Sequence, residues 1–209
     1  YRVVAEAASC ETSPLEIPVT VNPLPVLVVN NPETVCAPAA VDLTAEPITA
    51  GSGNSLHFSY WKDEAATSEL ENPAEAPAGT YYIKAENASG CEQLAEVVVT
   101  EYDAPVLTSP SEVPGFCSET AFNYEFESSV PGTQFNWSRP AISGISTPAN
   151  SDTGMIDEVL VNTTNHPIDV EYEVTMISPN GCIASEKIHT TVTPTPVLTS
   201  TLSPGSVCS

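Results

Sequence analysis

Residues 168–177 read IDVEYEVTMI, and this run decides the fold. Val170, Tyr172, Val174 and Met176 alternate with Asp169, Glu171, Glu173 and Thr175, the period of a strand with one face in a core and one in water. Working outward, Phe122, Tyr124 and Phe126 alternate with Asn123, Glu125 and Glu127 in the same way, and Ile188, Thr190 and Val192 make a third such run. Turn clusters at 87–90 (NASG), 130–132 (VPG) and 178–181 (SPNG) interrupt these runs at the spacing of β-sandwiches. Only residues 63–70 could form a helical turn, and a loop crossing between sheets fits them equally well. The chain therefore reads as all-β.

Composition agrees. The 209 residues include 20 prolines and only 15% charged side chains, too few for the Glu/Lys/Leu-rich surfaces of helical proteins. No stretch of 18 apolar residues is present. Five basic residues, scattered along the chain, stand against 27 acidic ones, giving a formal charge of -22. No basic stripe exists to neutralise phosphates, so nucleic acid is excluded as a partner. Such acidity suits a solvated, aggregation-resistant surface, a salty medium or Ca²⁺-binding carboxylate pairs. The first reading is preferred.

The chain repeats itself. Residues 1–11 (YRVVAEAASCE) match residues 81–92 (YYIKAENASGCE), with Tyr, Ala, Glu, Ala and Ser recurring at an offset of 80. The motif PVLTS at 105–109 stands twelve residues before Cys117, and again at 196–200 it stands twelve before Cys208. Residues 23–27 (PLPVL), ahead of Cys36, are a looser third copy. Each is a proline-stiffened joint opening a new domain. The expected organisation is the C-terminal part of a truncated domain at 1–22, a complete sandwich at 23–103, a second at 104–195 and the start of a further domain at 196–209.

Six cysteines follow the same rhythm. Each complete domain owns one early cysteine and one in a late Gly-Cys turn, so the repeats select Cys36 with Cys91 and Cys117 with Cys182. Cys10 and Cys208 are then left unpaired by truncation. Metal ligation would need closer Cys and His spacing. Disulfides imply an oxidising, extracytoplasmic location, and bridges across loops of more than fifty residues would contribute about 4 kcal/mol each. Pulling force would then bypass part of each sheet.

The run at 79–91 (GTYYIKAENASGC), with YWKD at 60–63, resembles the Ig-like repeats of very large surface proteins of Bacteroidetes. CSETAF at 117–122, VPGTQFNW at 130–137, Ile145-Ser146, NTT at 162–164 and NGC at 180–182 resemble, in order, the PKD-like domain of the same proteins. Together they cover nearly the whole chain, and the resemblance implies that the truncated domain at 1–22 and the sandwich at 23–103 are Ig-like and the sandwich at 104–195 PKD-like. The resemblance implies export by the type IX route, attachment at the outer membrane and service in adhesins, including those of gliding motility. It implies partners among neighbouring domains of the same chain, surface glycans, and outer-membrane motility or secretion proteins. It names a role for a whole protein and no site within this piece.

Candidate chemistry is sparse. His57, His166 and His189 share no metal-ligand spacing, Gly-x-Ser-x-Gly is absent, and nothing nominates a general base, so no enzyme is expected. No cofactor is expected except Ca²⁺, for which Glu101 and Asp103 beside the joint at Pro105 are the most suggestive pair; solvated charge at a strand end is the preferred account. Among the aromatics, Trp137 and Tyr81 read as core. Trp61 shares a face with His57 and Ser59 and is the one candidate for stacking on a sugar ring. The function expected is a structural spacer in a secreted cell-surface adhesin; the alternative is a carbohydrate-binding accessory module of a secreted enzyme.

Overall fold

A computed structural model describes residues 13 and 15–196 and, ahead of them, 2–4, 6–7 and 10–11. Sixteen strands run in chain order, with no α-helix among the described residues. The chain divides into two compact units, one reaching to Glu101 and the next beginning at Tyr102.

In the first unit, β1 (Arg2–Val3) pairs with β4 (Leu15–Glu16), and β2 (Glu6–Ala7) with β3 (Cys10–Glu11). After β5 (Val35–Cys36), the main sheet is an antiparallel meander of β6 (His57–Trp61), β7 (Gly79–Glu86) and β8 (Glu92–Val99), with β9 (Glu101–Tyr102) following. Tyr81, Ile83, Val97 and Val99 face inward and bury against Leu43, Ile48, Leu70 and Ala76. Leu27, the last residue of the PLPVL motif, and Val29 just beyond it pack against the same cluster, in a segment that forms no strand.

Residues 63–70 are a loop. The Asp63 carboxylate accepts from the backbone N–H groups of Thr67 (3.1 Å) and Ser68 (2.6 Å), and Lys62 N–H donates to Ser68 O at 2.8 Å, closing the segment as a turn. A side chain that satisfies backbone donors this way competes with helix formation.

The second unit holds β10 (Phe116–Cys117), β11 (Ala121–Tyr124), β12 (Gln134–Arg139), β13 (Asn150–Thr153), β14 (Ile156–Val159), β15 (Ile168–Ile177) and β16 (Ile183–Thr193). Five strands form one sheet in the order β10-β16-β15-β12-β13, and β11 pairs with β14 in another. Val170, Tyr172, Val174 and Met176 on β15 and Ile188 and Val192 on β16 are buried, so the alternation read from 168–177 is realised in register. Across from them lie Phe122, Tyr124 and Ile156 of the second sheet. Phe122 stacks on Tyr172 at 5.7 Å between centroids, and Trp137 meets Tyr172 edge-on at 5.6 Å, offset and T-shaped arrangements that suit ring quadrupoles.

The expected disulfides differ from those found. Cys91 and Cys117 are free thiols, whereas Cys36 and Cys182 are each in a disulfide. Neither Cys36–Cys91 nor Cys117–Cys182 is formed, and strand length is the reason. Val35 N–H bonds Thr100 O at 3.1 Å, which sets Cys36 beside the far end of β8, nine residues on from Cys91. Cys117 is in register with Thr193, the last residue of β16, eleven residues on from Cys182. At about 3.3 Å per strand residue these separations are roughly 30 and 36 Å, against the 4.4–6.8 Å between Cα atoms that a disulfide spans. The expected force bypass within each sheet falls with the pairing. Cys208 and the side chain of Cys10 lie outside the described residues.

Candidate functional site

The strongest polar constellation lies in the core of the second unit, where sequence reading had nominated nothing. Phe135, Trp137 and Arg139 alternate along β12, so Arg139 points inward, and Ile156 and Glu158 do the same on β14. Arg139 is 1% and Glu158 6% exposed. Arg139 grips the carboxylate with both ends of its fork, Nε to Oε2 at 2.9 Å and Nη2 to Oε1 at 3.0 Å. Two further N–H groups donate to Pro140 O (3.1 Å) and Pro148 O (2.7 Å). Tyr172 on β15 donates its hydroxyl to Glu158 Oε2 at 2.8 Å, and Asn150 on β13 donates to Oε1 at 3.0 Å.

Burial alone would raise the Glu158 pKa, but the hydrogen bonds from Arg139, Tyr172 and Asn150 outweigh it, and the carboxyl sits below its ordinary value. Burial, and then the bond to that carboxylate, push the Tyr172 phenol well above the usual tyrosine range. No buried side-chain nitrogen or oxygen among the described residues lacks a partner. A cleft of about 540 Å³ opens beside Arg139, with Ser138, Asn150, Ser151, Glu171 and Glu173 on its walls. The guanidinium already makes four bonds within the protein and offers the cleft no unengaged charge. The arrangement clamps two sheets together, and no general base or nucleophile is poised in it.

Trp61 ends β6 opposite Tyr82 of β7, on the face turned away from the core, and both are half-buried. Its indole Nε1–H donates to Ser59 Oγ at 2.9 Å, and the Lys84 ammonium stands 5.2 Å from the ring centroid while holding Glu92 at 3.0 Å. The ring is thus oriented by its own sheet. Trp137 is 4% exposed and donates to Met155 O at 3.2 Å, a core residue as expected.

Glu101 and Asp103 are exposed, and no group of three or more His, Cys, Asp or Glu is placed to hold a metal among the described residues. The three histidines do not converge. His57 is exposed on β6, His166 contacts Pro167 O at 3.1 Å, and His189 stands 3.8 Å from Glu171 on the wet face of β15 and β16. No helix among the described residues is long and apolar enough to cross a membrane.

Residues 115–196 match the PKD-like domain family. No curated protein matches the chain. Among solved structures, the chain is similar to the IG1+IG2 segment of DIP-gamma (11% identity, TM-score 0.37, covering 82% of this chain and 98% of that one). It is similar also to the insect immune protein hemolin (13%, TM-score 0.38, 93% and 56%) and to immunoglobulin domains 1–4 of Sidekick-1 (15%, TM-score 0.33, 81% and 48%). The fold is all-β, and the second unit carries a PKD-like domain. PKD-like domains are typically non-catalytic, and residues 115–196 are consistent with a structural or adhesion-type module. Its disulfide-bonded cysteines fit an extracellular setting.

Proposed function

We propose that this chain is a spacer segment of a large secreted cell-surface adhesin, exported by the type IX route and held at the outer membrane, where it serves attachment or gliding. One observation carries the reading: the buried charges of the second unit are consumed by one another, Arg139 by Glu158 with Tyr172 and Asn150 completing the set, so the core's polar chemistry is spent on rigidity. Serial sandwiches hold a distal binding tip away from the cell, and a charge of -22 keeps neighbouring fibres apart. The immediate partners are other modules of the same chain; surface glycans and outer-membrane motility or secretion proteins are partners of the whole adhesin.

Replacement within the parent protein tests this. Exchanging residues 23–195 for two unrelated sandwiches of equal length should leave attachment unchanged, while deleting them should weaken it. Loss of attachment on the exchange would overturn the reading.

A second reading, a carbohydrate-binding module, draws on the outward pair Trp61 and Tyr82 with Lys84 alongside. Glycan-array binding that disappears in Trp61→Ala would favour it.

A further inference from the structure

The cysteines occupy equivalent places in the two units, yet their states differ. Cys91 closes the β7–β8 turn: Asn87 N–H donates to Cys91 O (3.1 Å), Gly90 N–H to Asn87 O (2.9 Å), and Cys91 N–H to Asn87 Oδ1 (3.1 Å). Cys182 closes the β15–β16 turn in the same manner: Ser178 N–H donates to Cys182 O (2.9 Å), Gly181 N–H to Ser178 O (2.9 Å), and Cys182 N–H to Ser178 Oγ (3.1 Å). These two are one structural position. Cys36 and Cys117 are likewise one position, each on a two-residue strand beside the far end of its unit's last long strand. In each pair one member is in a disulfide and its counterpart is a free thiol: Cys182 against Cys91, and Cys36 against Cys117.

A bond between the early-strand and the late-turn cysteine of one unit is excluded by the roughly 30 Å length of the intervening strand. We infer that the disulfides of this protein run between modules, the early-strand cysteine of one to the late-turn cysteine of another, and that Cys117 and Cys91 are the two complementary halves of such bonds. The Cys117 side chain is exposed and that of Cys91 half-buried, with Cys91 Sγ 3.9 Å from Asn22 O in the segment that leads into the unit. Cys91 lies in the β7–β8 turn at one end of its sheet, and Cys117 stands in register with the last residue of β16. The partner each fits is the opposite cysteine of a further module of the same kind.

Bond formation is a two-electron oxidation. Two thiols lose two protons and two electrons, and a disulfide oxidant, small-molecule or enzymatic, accepts both and leaves as two thiols. In a tethered array the second module is present at high effective concentration, which favours this bond over random partners. The inference rests on the serial-module reading above; the module exchange tests that reading through attachment and does not depend on any thiol, so the two can fail separately.

A second copy of the chain supplies both halves. Concentrated protein incubated with glutathione disulfide should give a head-to-tail ladder on a non-reducing gel, and its digest should contain Cys91–Cys117 linked peptides. Cys91→Ser or Cys117→Ser alone should abolish the ladder, and a mixture of the two variants should yield only a dimer joined by Cys91–Cys117. Thiols that end capped by glutathione in unlinked monomer, or Cys91–Cys91 and Cys117–Cys117 links as abundant as the mixed one, would overturn the inference. So would the same ladder in a Cys91→Ser, Cys117→Ser double variant.

Discussion

Arg139 and Glu158 face each other from different sheets of the second unit, joined by two hydrogen bonds of 2.9 and 3.0 Å with almost no water in reach. Removing one partner leaves the other charge buried and alone, which costs about 3–5 kcal/mol, whereas replacing both by apolar residues of similar volume is often neutral. Arg139→Ala should therefore lower the melting temperature of the second unit by more than about 10 °C. Arg139→Met with Glu158→Leu should recover most of the loss. Equal destabilisation by the single and double changes, measured by calorimetry, would show that the pair does not act as a unit.

The same pair sets a pH dependence. The folded Glu158 pKa lies below its unfolded value, so its ionised form stabilises the fold. That contribution is complete above the ordinary carboxylate range of about 4.3 and is lost as pH falls through the lowered folded value. Unfolding of the second unit should become easier below about pH 4. Glu158→Gln should be less stable at neutral pH and should flatten the part of the acid limb that Glu158 supplies. An unchanged limb in urea titrations at several pH values would place the acid sensitivity on other carboxylates.

Gly144 has φ +87°, and a Cβ built there would stand 2.6 Å from Ile168 Cδ1 and 2.7 Å from Thr164 Cγ2. Gly144→Ala combines left-handed strain with a clash against a core side chain, and should cost about 2–4 kcal/mol in denaturant unfolding. Gly154, with φ +76° and open space around it, isolates the strain alone, so Gly154→Ala should cost about 1 kcal/mol. Similar losses at both sites would mean that the Ile168 contact is soft.

Trp61 is half-buried on an outward sheet face, held by Ser59 and Lys84. Trp61→Ala should cost about 1 kcal/mol or less, since only the cation–π contact and edge packing are lost. In the parent protein attachment should be unaffected. Attachment that fell while the melting temperature held would shift the account toward carbohydrate binding.

Much of the fold was legible in the residues. Alternation at 168–177 and 188–192 fixed which side chains meet the core, because a period of two leaves one choice of buried face. Burial of Trp137 followed from the same rule. The Arg139–Glu158 pair was half-legible: each residue sits at an inward step of an alternating run, but which acid meets which base depends on how β12 and β14 face across the sandwich, and that pairing is non-local. Cysteine pairing misled for a related reason. An early and a late cysteine per repeat looks like a staple until the strand between them is seen to run the whole length of the sandwich; repeat phase reports equivalence and carries no distance.

Mapping the linked peptides in a non-reduced digest of the full-length protein tests most directly the claim that each module stands on its own core while its sulfurs face other modules. The account predicts no peptide joining Cys36 to Cys91 or Cys117 to Cys182, with Cys91 and Cys117 each bonded to a cysteine outside its own unit. Recovery of either within-module pair would contradict it.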